Sequence, residues 1–322
     1  MQAITYRTCG PAHQVLNLEE LSDPLPGAGE VRVRLHYSGV NPTDWKRRAT
    51  EAPRYGEIQV PHQDGSGVID LVGAGVDPGR VGERVWLYHA SAGRAHGTAA
   101  ELICLPSSHA VRLDDRTSLQ QGAMLGIPYL TAAHALATLP APPGRILVTG
   151  GAGAVGHATI QLGRHLGYQV VTTVSTDEKA AIADTAGPDQ VLRYRTDDYP
   201  ARLADASGDG FDGVIDVDMG VNVDAYADLL RPGAHIICYA SDHTQVLIPP
   251  RLFMYRNVQI NFFVVYLLVE EAIRQAVEMV ERFFASGDVP MLPIHEYRLQ
   301  DVASAHDDVQ AGLVGRALIG ID

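Results

Sequence analysis

Cysteine is scarce in this sequence, and long apolar runs and an excess of positive charge are missing. The three cysteines, Cys9, Cys104 and Cys238, lie far apart, which argues against a disulfide framework or a CxxC metal site and favours small buried side chains. No window is apolar for long enough to span a bilayer, and the first residues form no basic and apolar leader. We therefore expect no membrane span, no signal peptide and a cytoplasmic location.

The shortage of basic residues also limits the class of partner. With 25 lysines and arginines against 38 aspartates and glutamates, the net charge is −13, which argues against nucleic-acid binding. The composition, 46% hydrophobic and 20% charged, is that of a globular protein. A chain of 322 residues is too long for one core of ordinary size, so we expect two domains.

The first part of the chain, up to about residue 125, has the pattern of a mostly antiparallel β domain. Residues 30–36 (EVRVRLH) alternate branched apolar and charged side chains, as a half-buried strand does. Further strands are predicted over 67–72, 84–88 and 100–105, separated by turns rich in glycine, proline and aspartate. From about residue 285 the chain returns to short β-like segments, and we expect this tail to rejoin the first domain.

Beyond residue 120 the pattern changes to alternating strands and helices. The predicted strands are 146–149, 169–174, 190–192, 214–217 and 235–239, and the predicted helices are 122–138, 155–166, 177–185 and 224–230. The most apolar segment, 257–268, is predicted as the last strand, and 270–284 as a helix. This alternation predicts a parallel sheet with crossover helices.

The chain is organised around residues 145–157, which read RILVTGGAGAVGH. A run of branched apolar residues ends at Thr149 and glycines follow at once, as when a buried strand breaks into a tight turn and then a helix. Such a loop cradles a dinucleotide pyrophosphate, because glycines admit the phosphate close to backbone amides and the helix N-terminus supplies partial positive charge. Two frames fit the sequence: GxGxxG over 151, 153 and 156, or GxxGxxG over 150, 153 and 156.

The residues after the next predicted strand bear on the choice of dinucleotide. In an NAD site an acidic residue at this point accepts hydrogen bonds from the ribose 2′-hydroxyl. Here the strand ends at Ser175, whose small hydroxyl leaves room for a 2′-phosphate, and Lys179 supplies a countercharge one helical turn later. We therefore favour NADPH over NADH. The alternative is that Asp177 takes the acidic role and Lys179 is a solvated helix residue.

Several further segments resemble those of one enzyme superfamily and occur in its order. They are SGVNPTD (38–44), DGSGV (64–68), VGERV (81–85), GTAAE (97–101), LTA (130–132), VSTDEK (174–179) and RYR (193–195). Together with the glycine loop, they make the chain similar to the medium-chain dehydrogenase/reductase superfamily. Within it, the chain resembles the zinc-independent, zeta-crystallin-like quinone oxidoreductases over nearly its whole length.

The resemblance implies an α/β protein of two domains. A GroES-like catalytic domain, mostly antiparallel β, would comprise residues 1–125 and 267–322, and a Rossmann domain with a doubly wound parallel sheet would comprise 126–266. The cofactor would be NADPH, bound by Asn41, Thr131, Gly150, Gly153, Ala154, Val155, Gly156, Ser175, Lys179, Tyr194, Tyr239, Ala240, Phe262, Phe263 and Val264. Related proteins pair the apolar last strand of this domain with that of a second copy, so a homodimer is expected.

The positions that bind zinc in other members of the superfamily carry different residues here. Where those members have a cysteine, a histidine and a second cysteine, this chain has Asn41, Gln63 and Leu125, which cannot together hold zinc. The lobe with four clustered cysteines is also missing. The resemblance therefore implies a reaction without metal, since nothing would lower the pKa of a bound alcohol.

The substrate-facing residues depart from the pattern of the related quinone reductases. Their pocket tyrosine gives way to Trp45 and Lys46, which suit stacking on a planar quinone and stabilisation of a developing oxyanion, or simple packing and a solvated lysine. The ordinary pKa of a histidine would suit a catalytic acid at His62, and a turn histidine is the alternative. We assign Asn41 and Lys46 to catalysis, and Trp45, His62 and Tyr129 to the substrate pocket.

These expectations define a leading function and three alternatives. The leading one is NADPH-dependent, metal-free hydride transfer to a quinone, which requires placing nicotinamide C4 near the acceptor and excluding water. A reductase of α,β-unsaturated carbonyls or acyl thioesters would use the same geometry. A sensor or structural protein that binds NADPH without turnover, and a metal-dependent alcohol dehydrogenase, are the remaining candidates.

Overall fold

The alternating segments of the first part of the chain fold into a mostly antiparallel sheet, as predicted. The computed structural model describes residues 1–321, and its unit one comprises Met1–Ile127 with the segment from Pro293 onward. The first elements of unit one are β1 (Gln2–Thr5), α1 (Ala12–Val15), β2 (Asn17–Glu20), β3 (Glu30–Gly39), α2 (Pro42–Thr50), β4 (Asp64–Val72), β5 (Arg84–Leu87), β6 (Leu102–Pro106), β7 (Ala110–Arg112) and α3 (Leu119–Gly122).

Strands and helices alternate in unit two, Pro128–Leu292, and build a parallel sheet. Its elements are α4 (Gly126–Ala137), which begins in unit one, β8 (Arg145–Thr149), α5 (Ala154–Leu166), β9 (Gln169–Val174), α6 (Asp177–Thr185), β10 (Gln190–Arg193), α7 (Tyr199–Ser207), β11 (Phe211–Asp216), α8 (Met219–Tyr226), β12 (Leu230–Cys238), α9 (Pro250–Arg256), β13 (Gln259–Phe262) and α10 (Glu270–Ala285). The strand order β10-β9-β8-β11-β12-β13 reverses at β8, which confirms the predicted Rossmann sheet and puts a crevice at the carboxyl end of β8.

The tail returns to unit one and contains a helix that the sequence pattern did not indicate. Its elements are β14 (Ile294–Arg298), α11 (Val302–Gln310) and β15 (Arg316–Gly320). β15 pairs antiparallel with β3, so the seven-stranded sheet has the order β14-β15-β3-β4-β5-β7, with β6 also on β3. The prediction of only β-like segments here was wrong, because α11 is short and polar and buries just Val302, Ala305 and His306.

The last strand of unit two is shorter than predicted. The apolar segment 257–268 forms β13 only over Gln259–Phe262 and then turns through a 3₁₀ segment at Val265–Leu267. β13 lies at the edge of the sheet, and its register ends with Phe262 opposite Cys238, the last residue of β12. The ladder therefore stops where its neighbour stops, although the apolar run continues.

The second boundary between the units also differs from the sequence estimate. It lies between Leu292 and Pro293 rather than at 266/267, so α10 belongs to unit two. Phe283 and Phe284 of α10 pack against the ring of Tyr129 on α4, with ring centroids 6.4 and 5.1 Å apart. This aromatic contact, invisible to local pattern, explains why the helix stays with the parallel sheet.

The three cysteines differ in their exposure. Of the three cysteines, only Cys238 is buried, whereas Cys104 is half-buried and Cys9 is exposed, so the expectation of buried cysteines was wrong for Cys9. Within residues 1–321, no helix combines the length and the apolar character that crossing a membrane requires.

Candidate functional site

The carboxyl edge of the parallel sheet gathers the residues predicted to bind a dinucleotide. Because parallel strands end at the same edge, the glycine loop after β8 lies in the middle. The residues after β9 and β10, Ser175 and Tyr194, lie on one side of it, and those after β12 and β13 lie on the other side. Unit two thus brings together, along one edge, segments that are separated by more than a hundred residues of sequence.

The glycine loop leaves backbone amides available to an anion. Gly150 has φ +72, a left-handed conformation that glycine adopts without strain. Gly153 caps α5 without a side-chain bond, so the first-turn amides of Ala154, Val155 and Gly156 have no intrahelical acceptor. A Cβ at Gly156 would overlap the carbonyl oxygen of Gly150. The residues present therefore fit a dinucleotide pyrophosphate, whose oxygens accept from such amides.

A buried carboxylate beside the glycine loop holds the end of β8, where the loop begins. Asp216, at the end of β11 and fully buried, accepts hydrogen bonds from Thr149 Oγ1 (2.8 Å), Asn222 Nδ2 (2.7 Å) and Tyr226 OH (2.8 Å). Thr149 Oγ1 in turn accepts from the amide of Val217 at 2.9 Å. Asp216 thereby ties the last residue of β8 to α8.

The side of the loop near β9 and β10 carries the residues predicted to recognise a 2′-phosphate. Ser175 and Lys179 are half-buried, and Tyr194 is 43% exposed, with its amide donating to Val174 O at 3.0 Å. Asp177, the alternative ribose ligand, forms an ion pair with Arg193 at 2.8 Å. The carboxylate of Asp177 is therefore already engaged, which weakens the alternative that it binds a ribose hydroxyl.

On the other side of the loop, the residues that follow β12 and β13 line a cavity of about 490 Å³ in unit two. Tyr239 donates its amide to Asp216 O (3.3 Å) and Phe263 its amide to Cys238 O (3.3 Å), which keeps both segments at the edge of the sheet. The cavity is lined by Cys238, Tyr239, Ala240, Ser241, Phe262, Phe263, Val264, Leu267 and Leu268. Five of the predicted cofactor residues therefore share one mostly apolar cavity.

In unit one, Asn41 lies at the centre of a buried polar cluster. Its Nδ2 donates to Asp64 Oδ2 at 2.7 Å, and its Oδ1 accepts from Arg316 Nη1 at 3.0 Å. Asp64 Oδ1 also accepts from the amide of Ile127 at 2.9 Å, and Arg316 Nη2 lies 3.8 Å from Asp64 Oδ2. Both ends of the Asn41 amide are thereby fixed. The Asn41 backbone amide donates to Asp44 Oδ2 at 2.7 Å, as in a capping box that starts α2.

Two carboxyl groups of this cluster have raised pKa values. Burial raises the pKa of Asp44 to about 7, opposed by the hydrogen bond from the Asn41 amide and assisted by the charge of Asp64. Burial also raises the pKa of Asp64 to about 6, opposed by Arg316 and by the hydrogen bonds from Asn41 and Ile127. Protonation of the cluster is therefore linked to the folding of unit one near neutral pH.

The raised pKa of Asp44 predicts how stability depends on pH. A carboxyl group whose pKa is higher in the folded state stabilises that state when protonated, and the stabilisation is lost as the pH rises towards 7. Asp44→Asn keeps an oxygen acceptor and cannot ionise. We expect its unfolding free energy, relative to wild type, to increase by about 3 kcal/mol from pH 4 to pH 8.

Urea unfolding of both proteins at a series of pH values measures this difference. Asp205→Asn on α7, an exposed carboxylate, is the matched control, and its difference from wild type should stay flat. A flat difference for Asp44→Asn as well would show that Asp44 ionises in the folded protein as easily as in the unfolded chain.

The predicted catalytic and pocket residues of unit one differ in their surroundings. Trp45 and Lys46 are half-buried on α2, and Lys46 Nζ lies 5.7 Å from the centre of the Trp45 ring, a cation–π contact. His62 is 1% exposed, and burial holds its pKa well below 6.5. A neutral, enclosed imidazole does not suit a proton donor at neutral pH, so the structure disfavours His62 as a pocket acid.

Tyr129 and Thr131 are both buried in α4. Tyr129 is 4% exposed, and its hydroxyl donates to Gln161 Oε1 at 2.7 Å inside unit two. This hydrogen bond and the two phenylalanine contacts account for the side chain without a ligand, and its place in the substrate pocket stays a prediction. Thr131 is 4% exposed, and its contact with the cofactor likewise stays a prediction.

Local sequence pattern does not show which residues hold Asn41 and the glycine loop. Arg316 carries a weak signal, since it is a charged residue at the start of an otherwise apolar terminal strand. Asp216 also follows a buried apolar run, a position where an unpaired carboxylate requires several donors. Within residues 1–321, no group of three or more histidines, cysteines, aspartates and glutamates could hold a metal ion.

Comparison with known families adds two matches that together span most of the chain. A family described as "Alcohol dehydrogenase GroES-like domain" matches residues 27–115, and one described as "Zinc-binding dehydrogenase" matches residues 154–282. Among curated proteins, quinone oxidoreductases of Rattus norvegicus and Homo sapiens are each 28% identical to this chain. Each alignment covers 95% of this chain and 94% of the relative.

Solved structures match over the full length. The native structure of a mycobacterial quinone oxidoreductase superposes with a TM-score of 0.85 at 27% identity, covering 100% of both chains. A mycobacterial protein complexed with NADPH superposes with a TM-score of 0.83, also at 27% identity and over 100% of both chains.

Proposed function

Since the chain belongs to the medium-chain dehydrogenase/reductase superfamily of oxidoreductases, we propose that it transfers hydride from NADPH to a quinone without a metal ion. The observation that carries the proposal is the carboxyl edge of the sheet in unit two, where the glycine loop lies between the Ser175 side and the Tyr239 cavity. The quinone oxidoreductases that match over nearly their full length support the acceptor class.

The chain's own residues provide binding and orientation for the cofactor. The amides of Ala154, Val155 and Gly156 would donate to the pyrophosphate oxygens at the positive end of α5. When bound, reduced nicotinamide supplies the hydride from its C4 atom. The apolar cavity beside Tyr239 and Phe263 would take the nicotinamide end. Catalysis then rests on placement rather than on a covalent intermediate.

The preference for NADPH over NADH is assigned to the residues beyond β9 and β10. Ser175 donates to the 2′-phosphate, and Lys179 and Tyr194 provide a cation and a partly exposed phenol beside it. Lys179 and Lys46 are the only two lysines of the sequence. Asp177 would repel a phosphate, and its ion pair with Arg193 reduces that repulsion.

Loss of the lysine charge should therefore act on one cofactor only. We expect Lys179→Ala to raise the Kd for NADPH about tenfold and to leave the Kd for NADH within about twofold, because only NADPH carries the 2′-phosphate. Fluorescence titration with both cofactors measures the two constants. Glu178→Ala, the exposed neighbour on α6, is the control and should not raise the Kd for either cofactor by more than about twofold. An equal loss for both cofactors in Lys179→Ala would contradict the assignment.

Unit one supplies the residues assigned to the acceptor. We assign to Lys46 the stabilisation of the reduced quinone's oxygen and to Trp45 the contact with its planar ring. Asp64 and Arg316 hold the side-chain amide of Asn41, and we assign Asn41 to contact with the reacting groups. Protonation of the reduced acceptor comes from solvent or from Lys46, since burial keeps His62 neutral.

The residues at the positions that bind zinc in other members of the superfamily support a reaction without metal. Asn41 and Gln63 stand at two of these positions, and both amides are engaged in hydrogen bonds within the protein: Asn41 with Asp64, and Gln63 Oε1 with the amide of Ser91 at 3.1 Å. Leu125 at the third position has no donor atom. The arrangement therefore fits hydride transfer between organic groups.

The acceptor class is tested by steady-state oxidation of NADPH with 1,4-benzoquinone and with conjugated enones. The proposal predicts the higher kcat/KM for the quinone. A higher kcat/KM for the enones would identify an α,β-unsaturated carbonyl, rather than a quinone, as the acceptor. Tight NADPH binding without oxidation by either class would identify a sensor or structural protein.

We also propose that the protein is a homodimer joined through β13. This edge strand and the residues after it expose large apolar side chains: Phe262 at 62%, Val264 at 52% and Leu267 at 81%. An exposed apolar edge needs a partner strand to avoid aggregation. Size-exclusion chromatography with light scattering should give twice the chain mass of 34.6 kDa. The mass of a single chain would contradict the dimer.

A further inference from the structure

A chain of buried hydrogen bonds connects α11 with the segment before β4. His306 Nε2 and His62 Nε2 are 2.9 Å apart, and His62 Nδ1 and Ser38 Oγ are 2.8 Å apart. Ser38 Oγ lies 2.7 Å from Thr98 Oγ1, which donates to the carbonyl oxygen of Asp64 at 2.6 Å. All four side chains are at most 1% exposed, so no solvent competes with these bonds.

The carbonyl oxygen of Asp64, at one end of this series of hydrogen bonds, determines which group is the donor in each of them. A carbonyl oxygen can only accept, so Thr98 donates its one hydroxyl proton to Asp64 O. Ser38 must therefore donate to Thr98. Ser38 has then no proton left, so His62 Nδ1 carries the hydrogen and donates to Ser38 Oγ. A neutral His62 then presents a bare Nε2, to which His306 Nε2–H donates.

The surroundings agree with two neutral rings. Burial and the neighbouring His306 lower the pKa of His62 well below 6.5, and burial with the charge of Arg48 lowers the pKa of His306 to about 3. Neutral His306 with hydrogen on Nε2 has a bare Nδ1, and this atom is buried with no hydrogen-bond partner among residues 1–321. No acceptor among these residues faces this Nδ1, which is consistent with the assignment that leaves it without a hydrogen.

The backbone at His62 is held in a conformation that its own side chain disfavours. His62 has φ +78, in the left-handed region where a histidine is strained. Its carbonyl accepts from the amide of Thr98 at 3.3 Å, and that of Pro61 accepts from the amide of Ala99 at 3.2 Å. The next residues along the chain are Gln63 and Asp64, and Asp64 holds the amide of Asn41.

We propose that His306 is a positioning residue that, through its hydrogen bond to His62, holds residues 61–64 and thereby fixes Asp64 and Asn41. The helix α11 then acts on the reacting groups without touching them. Because Asn41 is assigned to those groups, this inference rests on the proposed function for its kinetic consequence. The tautomers of the two histidines do not depend on it.

The tautomers are tested in the unmodified protein by long-range ¹H–¹⁵N NMR of its histidines. His62→Gln and His306→Gln assign the two signals among the 13 histidines by the loss of one set each. We expect the hydrogen on Nδ1 of His62 and on Nε2 of His306, with both rings neutral at pH 7. Hydrogen on Nε2 of His62, or a charged ring at either position, would overturn the inference.

The positioning role is tested by removing and then restoring the donor. His306→Leu leaves His62 Nε2 without a donor, whereas His306→Gln offers an amide N–H at similar reach. We expect His306→Leu to lower kcat/KM for 1,4-benzoquinone about tenfold with the Kd for NADPH within about twofold, and His306→Gln to recover most of the loss. We expect kcat/KM to fall while the Kd for NADPH stays nearly constant, because the glycine loop of unit two, rather than Asn41, is assigned most of the cofactor's contacts.

His109→Leu is the matched control in unit one. The ring of His109 packs on Tyr88 with centroids 4.8 Å apart, and its buried Nδ1 has no partner among the described residues, so its loss breaks no hydrogen bond there. The control should keep the wild-type kcat/KM. Equal losses in His306→Leu and His306→Gln, or a wild-type value in His306→Leu, would overturn the positioning role. Absence of quinone reduction in wild type would instead refute the proposed function, and the NMR result would still decide the tautomers.

Discussion

Gly156→Ala is expected to weaken NADPH binding about a hundredfold, the larger of the two effects on ligand binding that the structure predicts. The added Cβ would overlap the carbonyl of Gly150, so either α5 or the loop must shift. The loop cannot retreat, because the amides of Gly150 and Gly151 donate to Thr173 O at 3.0 and 3.1 Å. The displacement therefore falls on the first-turn amides of α5, which are the groups assigned to the pyrophosphate.

Gly163→Ala is the control for this prediction, since it makes the same change on the same helix. A Cβ at Gly163 would come within 3.3 Å of the side-chain ends of Ile146 and Val170, which can yield by a few tenths of an ångström. Isothermal titration with NADPH should give a Kd within about twofold of wild type for this variant. A Gly156→Ala protein that is folded by circular dichroism and binds NADPH as wild type does would contradict the assignment of the loop.

Arg316→Met is expected to destabilise unit one by about 3 to 5 kcal/mol. The guanidinium is 4% exposed, donates to Asn41 Oδ1 and is the nearest cation to the fully buried Asp64. Methionine fills a similar volume and leaves the carboxylate with hydrogen bonds but no countercharge. Urea unfolding at pH 8, where Asp64 is ionised according to its pKa of about 6, measures the loss.

Two further variants separate the charge from the volume. Arg316→Met combined with Asp64→Asn removes both charges and should recover most of the lost stability, because a neutral amide is cheaper to bury than an unpaired carboxylate. Arg298→Met on β14, whose side chain is 73% exposed and pairs with Asp301 at 2.8 Å, is the control. It should cost less than about 1 kcal/mol. Equal losses at the two arginines would contradict the account of the buried cluster.

Local pattern was sufficient to predict the sheet of unit two and the edge at which the candidate dinucleotide site lies. The strand β9 and the helix α6 were predicted with the bounds that the structure has. β9 is a short apolar run, and α6 has a clear start, where the Thr176 side chain accepts from the amide of Lys179. The glycine loop and Ser175 follow such strands directly, so their position at the carboxyl edge could be predicted. These segments and the resemblance together predicted the fold class, and that prediction is confirmed.

Long-range contacts explain what the sequence did not show. Arg316 and Asn41 are 275 residues apart, and His306 and His62 are 244 residues apart, so no local spacing indicates either pair. The ordinary pKa of histidine suits a catalytic acid at His62, whereas burial against His306 lowers the pKa of this ring and disfavours that role. The length of β13 depends on where β12 ends, which is likewise a property of the neighbouring strand rather than of the segment itself.

The most direct test of the central claim is a stoichiometric reaction under conditions free of metal. The protein is dialysed against a chelator, mixed anaerobically with NADPH and excess 1,4-benzoquinone, and the loss of absorbance of reduced nicotinamide is compared with the hydroquinone formed. Hydride transfer without metal predicts one hydroquinone for each NADPH at the rate of the untreated protein. Activity that is lost on chelation and restored by zinc, or NADPH that stays reduced, would contradict the account.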